Sequence, residues 1–332
     1  YYIVYEYIDE LTPQITGNIP EFVYARHEFL LKNKRVIVVA TSDKLFSQAL
    51  EIRKSTINMA VSTNGVDYEY WHTTKDQFSV PDDIKCVVER GKKIVGYHGA
   101  LAKWIDYDAL REIAEDGKYS LLLIGFEHDE SLKNSGILEN KNVFYIGPKP
   151  YDQLVQYAVW YDVAILPFVI NNITLSVSPV KIFEYMALKK PVVTSAIPEC
   201  KKYKSCLIAK DTKDYLKQIE KAVKLIDDND YLKLLDEEAL ANTWQAISER
   251  TVKMVYECID NEKKILDARK EEKLPDVVSN ADSIEYKNAY LNQVLDIATN
   301  RKSVHYKEIT NKPYSRQKED AKIIAYYLTQ FH

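Results

Sequence analysis

KKIVGYHGALAKWIDYDALREIAEDGKYSLLLIGF, residues 92–126, decides the fold. An apolar run, KKIVGYHG (92–99), leads through a helical pattern at 106–117 to a second apolar run, SLLLIGF (120–126). Apolar run, helix, apolar run is the signature of a βαβ unit and a parallel sheet. Both runs are almost uniformly apolar, as strands covered by helices on both faces must be. The alternation continues through NVFYIGP (142–148), VAILPF (163–168), PVVTSA (191–196) and CLIAKD (206–211), with helical patterns at 150–161, 178–190 and 211–228 between them. Residues 92–228 are therefore predicted to form a complete, doubly wound Rossmann-like lobe.

Toward the N-terminus, YYIVYEYI and RVIVVATS (35–42) read as two further parallel strands flanking a helix over 21–33, and Asn64-Gly65 marks a turn. Residues 1–72 are expected to be the later part of a first Rossmann-like lobe. The polar stretch 73–91, with Pro81-Asp82-Asp83, is expected to link the lobes. Charged helical patterns with apolar spacing over 229–273 are expected to pack across both, and 274–320 read as a helix and a polar linker. The chain opens and closes inside strand-like runs, YYIVYEYIDE and AKIIAYYLTQFH, so it is expected to be a piece of a longer polypeptide.

With 332 residues, a net charge of −4 and no dense basic block, the chain is not read as a nucleic-acid binder. Four cysteines without CxxC spacing indicate neither a zinc site nor a disulfide framework, and their mostly aliphatic surroundings suit reduced thiols in the cytoplasm. No apolar run approaches the roughly 18 residues of a membrane span.

In an open parallel sheet, ligands bind beyond the carboxyl ends of the strands, where the strand order reverses. Gly96 and Gly99 flank the first such end in the second lobe. They read either as a phosphate loop, where absence of Cβ lets backbone approach an anion, or as an ordinary βα turn. In SPVKIFEYMALKKPVV (178–193), Ser178-Pro179 looks like an N-cap and first-turn proline, which puts Lys181 in the first turn, against the macrodipole. Glu184 follows one turn later among apolar neighbours. One reading joins them: a lysine at a helix start takes a diphosphate, and a carboxylate one turn deeper takes the two vicinal hydroxyls of a ribose. The other has Lys181 snorkelling to solvent and Glu184 in a structural ion pair. Asp106-Tyr107-Asp108 has the form of a metal-binding DxD, but at a helix start its aspartates read as caps.

These residues resemble a known family. SPVKIFEYMALKKPVV preceded by YDVAILPF, with GYHGALAKWIDYDAL (96–110) and NVFYIGPKPYDQL (142–154), is similar to family 4 of the nucleotide-sugar glycosyltransferases, over residues 1 to about 265. The resemblance implies an α/β protein of GT-B type: two Rossmann-like lobes, here the first incomplete and the second complete, with a helical C-terminal extension. It implies a nucleoside diphosphate sugar as donor, usually a UDP sugar, retention of anomeric configuration, and no cofactor or divalent metal. Matched by position, Glu184 is the ribose ligand and Lys181 the diphosphate contact. Ser178 stands at the helix entry, Gly99 and Lys103 on the phosphate-facing loop, and Ile146, Gly147 and Pro148 along the base pocket. Many members carry an arginine as well as a lysine on the phosphate loop. Many also carry a second glutamate eight residues before the ribose glutamate, and here that position is Ser176. The loop 171–178, with Asn172 and Ser176, and His98 beside the phosphate loop are then the candidate sugar contacts. In the first lobe, which supplies the acceptor site, Asp9 is the candidate acid or base, with a helix or turn cap as its other reading. His27 reads as structural.

AKIIAYYLTQFH (321–332) carries a second resemblance, to the tyrosine-rich first strand of the WbsX-like domain of bacterial polysaccharide gene clusters. Its alternative is an edge strand or helix of the preceding module. The expected activity is sugar transfer to a polysaccharide or lipid-linked acceptor in bacterial surface glycan synthesis, weak in this chain, in the cytoplasm or peripherally at the inner face of its membrane. A nucleotide-sugar-binding or scaffolding module and a GT-B-fold nucleotide-sugar epimerase are the alternatives.

Overall fold

Apolar runs that alternate with amphipathic helices bury both by laying the helices over a parallel sheet. The computed structural model describes residues 2–13, 19–271 and 323–326. From the N-terminus, β1 (Tyr2–Tyr7), α1 (Glu21–Lys32), β2 (Val36–Ala40), α2 (Asp43–Arg53) and β3 (Met59–Val61) build the first sheet, and α3 (Tyr68–Trp71) and α4 (Lys85–Glu89) lead out of it. The second sheet is built by β4 (Lys93–His98), α5 (Tyr107–Asp116), β5 (Tyr119–Ile124), α6 (Ser131–Asn134), β6 (Val143–Tyr145), α7 (Tyr151–Ala158), β7 (Val163–Leu166), α8 (Lys181–Ala187), β8 (Val192–Ser195) and β9 (Cys206–Ala209). Helices α9 (Asp214–Lys224), α10 (Asn229–Ala241) and α11 (Trp244–Glu271) follow, and β10 (Ile323–Tyr326) is the last described element.

The second sheet runs β6-β5-β4-β7-β8-β9, every pair parallel. The chain winds outward from β4 to β6, returns to β7 beside β4, and winds outward again. The strand order thus reverses between β4 and β7, as the sequence reading required of a doubly wound lobe. Strands β5, β7 and β8 are buried along their whole length. The large tyrosines of this core keep their hydroxyls bonded where they can: Tyr215 donates to the Leu166 carbonyl at 2.9 Å.

The first sheet has the order β10-β1-β2-β3, also parallel throughout. Its core joins Tyr5, Tyr7, Val36 and Val38 to Leu30 and Leu31 of α1 and Leu45 and Ala49 of α2. Helix α2 was missed by the sequence reading, which carried the preceding strand through Ser42. Ser42 is the N-cap instead, its hydroxyl accepting from Leu45 N at 3.3 Å. Residues 323–326 pair in register with Tyr2–Tyr5. This short piece of the tail is an edge strand of the first sheet, covering backbone groups of β1 that would otherwise lie open. The rest of 321–332, and the helix and linker expected over 274–320, lie outside the described residues.

Residues 73–91 do more than connect: Ile84 and Val87 are fully buried in the core of the second sheet. The described residues fall into two units, one of 2–258 with 323–326, the other of 259–271. Both sheets belong to the first. Within it the C-terminal helices reach the first sheet's exit, where Val66 N donates to Asn242 O at 2.9 Å and Trp244 N to Val66 O at 3.0 Å.

Candidate functional site

Beyond the carboxyl ends of β4, β5 and β6, three glycines join the loops. Gly99 N donates to Ile124 O at 2.8 Å, and Gly125 N to Gly147 O at 2.9 Å. All three have positive φ, +137°, +149° and +71° for Gly99, Gly125 and Gly147. At two of them space forbids a side chain as well: a Cβ on Gly125 would stand 1.9 Å from Gly99 O, and one on Gly99 would stand 2.2 Å from Lys181 Cε. Gly96 is small for a different reason, because the Tyr161 ring would meet its Cβ at 2.1 Å. Ile146 follows β6 and donates to Leu123 O, and Pro148 is exposed. Lys103 is exposed on the loop after β4, its backbone N held by Asp129 Oδ2 at 3.0 Å.

Helix α8 is shorter than the sequence suggests. It begins at Lys181, with Val180 as N-cap and no side-chain cap. Ser178 does not cap it, a correction to the sequence reading. Its hydroxyl and carbonyl accept instead from Asn64, Oγ from the backbone N at 3.3 Å and the carbonyl from Nδ2 at 2.6 Å. Lys181 lays its stem against Gly99, and among the described residues its ammonium has no hydrogen-bonding partner. Desolvation pushes its pKa down, and Glu184 partly opposes that. The spacing predicted from sequence thus places an unpartnered cation over the glycine at the switch point.

Glu184 is 5 % exposed and does have a partner, His98, itself 2 % exposed, whose Nε2 lies 2.8 Å from Glu184 Oε2. Trp71 stacks on the His98 ring at 5.3 Å between centroids and 12° between planes, and Tyr185 meets it edge-on at 4.8 Å. Trp71 Nε1 in turn donates to Tyr151 Oη at 2.9 Å. His98 therefore does not stand free at the mouth of the site, where the sequence reading set it as a sugar contact. Asp106 is occupied as a cap: it accepts from Ala109 N at 2.9 Å and Thr212 Oγ1 at 2.8 Å.

The loop that precedes α8 meets the first lobe through side chains the sequence reading did not single out. Ser176 is buried, its hydroxyl donating to Ile173 O at 2.6 Å and, at 3.5 Å, to Glu10 Oε2. Glu10 also accepts from Gln48 Nε2 at 3.0 Å and Lys44 Nζ at 3.4 Å. Lys44 Nζ donates to the backbone carbonyl of Asn172 as well, whose side chain is exposed. Glu199, buried at 2 % exposure, accepts from Asp43 N at 3.0 Å and lies 2.8 Å from Lys202 Nζ. The first turn of α2 is thus fastened to two loops of the second lobe. Asp9, on the same loop as Glu10, has no hydrogen-bonding partner among the described residues, and burial pushes its carboxyl up to about 6. His27 is structural as expected, bonded to Tyr5 Oη at 2.6 Å. An Asn64 or Lys44 could be found from sequence only by knowing which loops the fold brings together.

Residues 92–226 match the family described as glycosyl transferases group 1. The teichuronic acid biosynthesis glycosyltransferase TuaH of Bacillus subtilis (strain 168), as that protein is named, is 23 % identical over 197 residues, 57 % of this chain and 49 % of the relative. The chain thus spans about half the length of the curated relative it matches. Among solved structures, Anabaena Alr3699/HepE in complex with UDP superposes with a TM-score of 0.56 at 15 % identity, covering 77 % of this chain and 72 % of that one. Sucrose-phosphate synthase from Thermosynechococcus elongatus gives 0.53 at 16 % identity, covering 78 % and 68 %. The fold is the two-lobed GT-B type.

Proposed function

We propose that this chain is a glycosyltransferase that binds a nucleoside diphosphate sugar, with UDP as the nucleotide, between Gly99, Lys181 and Glu184, and passes the sugar to a polysaccharide or lipid-linked acceptor with retention of configuration. The observation that carries this is the Lys181 ammonium: desolvated, unpartnered among the described residues, and laid over a glycine at the point where the strand order reverses. A cation in that state is stabilised by an anion that replaces its lost hydration. A diphosphate does so, and as leaving group it develops charge where Lys181 already stands, which is electrostatic stabilisation without a metal or cofactor. Glu184, one turn deeper, takes the ribose hydroxyls, and Ile146 to Pro148 line the base side. The name of the Bacillus subtilis relative supports a surface-glycan role, and the UDP in the Anabaena structure supports the nucleotide. A lipid-linked acceptor would be met peripherally, at the inner face of the membrane; no helix among the described residues is long and apolar enough to cross one.

Thermal-shift titration with UDP, ADP and GDP tests the donor site, because a ligand that binds only the native state raises its Tm. UDP is expected to give the largest shift; no shift with any of the three would overturn the reading. One observation favours a second reading, a binding module without transfer: Ser176 stands where a carboxylate is common, and its hydroxyl is already engaged by Ile173 and Glu10. UDP release from UDP-sugars, measured with and without glycan acceptors, separates the two.

A further inference from the structure

We infer that His98 is the positioning residue of the donor site, setting the Glu184 carboxylate so that one oxygen is held by the protein and the other is left for the ribose hydroxyls. The inference rests on the donor-site reading above. The contact is 2.8 Å between two side chains that are both more than nine-tenths buried. Only one side of each is engaged. His98 Nδ1 is buried with no partner. Glu184 bonds through Oε2 alone among the described residues, and its Oε1 is not sealed in the way Nδ1 is, so it stays open to an incoming donor. A proton on Nδ1 would be a buried donor with no acceptor, so the ring carries its proton on Nε2 and donates to Oε2. A purely structural pair would leave neither partner half-satisfied, since a buried carboxylate needs several donors. Here the missing donors are the ones two vicinal hydroxyls would supply.

The ring has little freedom to do anything else. Trp71 covers one face at 5.3 Å, Tyr161 stacks at 6.2 Å, and Tyr185 closes the edge. The backbone N of His98 donates to Tyr185 Oη at 3.2 Å, so main chain and ring are both fixed by residues of the same core. Tyr185 directly follows Glu184 on α8, and this ties the donor and the carboxylate it orients to one turn of helix.

The test is titration of the full chain with UDP and with 2′-deoxy-UDP, for the wild type, His98→Phe, His98→Gln and His98→Asn. Phenylalanine keeps the stacking surface and removes the donor; glutamine restores an N–H near the reach of Nε2, and asparagine places one nearer Nδ1. His98→Phe is expected to weaken UDP at least tenfold and 2′-deoxy-UDP much less, with His98→Gln recovering most of the loss and His98→Asn little. Equal losses for both nucleotides in His98→Phe, or no loss at all, would overturn the assignment while leaving the donor site standing. A wild type without UDP affinity would overturn the donor-site reading and this one with it. Should His98→Phe fail to fold, the glutamine and asparagine variants carry the comparison, and equal UDP affinity in those two would overturn it.

Discussion

Lys181 and Asp9 are desolvated groups of opposite charge, and their consequences run in opposite directions with pH. The pKa of Lys181 is lowered by burial, so as pH rises it loses its proton earlier than an exposed lysine would. Above about pH 8 the phosphates of UDP are fully ionised and no longer contribute a pH dependence. In that range UDP affinity is expected to fall as pH rises through the lowered pKa. Lys181→Ala should bind at least tenfold more weakly with a flat profile, and calorimetry across pH checks both. Asp9 is raised from 3.8 to about 6 by burial. Its folded pKa exceeds its unfolded one, so its contribution to stability is fully present below about pH 3.8 and lost as pH rises through about 6. The rise corresponds to roughly 3 kcal/mol. Asp9→Asn is therefore expected to raise the Tm at pH 7.5 and leave it unchanged near pH 3.5, which a pair of thermal melts decides.

At the scale of the element, the turns after β4 and β5 are where sequence and geometry are most tightly bound. Gly125 has φ +149° and no room for a Cβ, which would meet the backbone oxygen of Gly99, an atom that cannot swing away. Gly91 also has positive φ, +65°, but open space around it. Gly91→Ala is expected to cost about 1 kcal/mol from backbone strain alone, and Gly125→Ala several times that, by urea denaturation. The sequence places Lys181 in the first turn of α8 and Glu184 one turn on, as observed, but starts the helix at Ser178-Pro179 where the structure starts it at Lys181. It gave Ser178 the wrong job, because Ser-Pro before a helical run is a local cue, and the hydroxyl is captured by Asn64, 114 positions away in the chain. Helix α2 had a legible cue, Ser42-Asp43 at its start, hidden behind a run of β-branched residues that reads as strand to its last member.

Across the whole unit, the loop leading into α8 is held from the first lobe by Asn64, Glu10 and Lys44. Asn64→Ala removes the side-chain hydrogen bond to the Ser178 carbonyl and leaves the backbone one, and it is expected to weaken UDP by roughly fivefold, at about 1 kcal/mol per net bond. A fluorescence titration with an unchanged affinity would show that α8 keeps its place without that hold. The order of apolar runs and helical patterns was enough to specify parallel sheets, a doubly wound second lobe and the end of the sheet where a ligand would sit. These follow from local periodicity and from the need to cover both faces of a buried strand. The spacing of Lys181 and Glu184 was equally local, one helical turn. What only the tertiary structure decided is who their neighbours are. Lys181 lies on Gly99, Glu184 is bonded to His98 86 positions earlier, and the acidic side chain that meets Ser176 is Glu10. Each of those contacts joins parts of the chain that lie on or beyond the ends of different strands. Periodicity carries no record of such pairings, because they are fixed by strand order and by the packing of one lobe on the other.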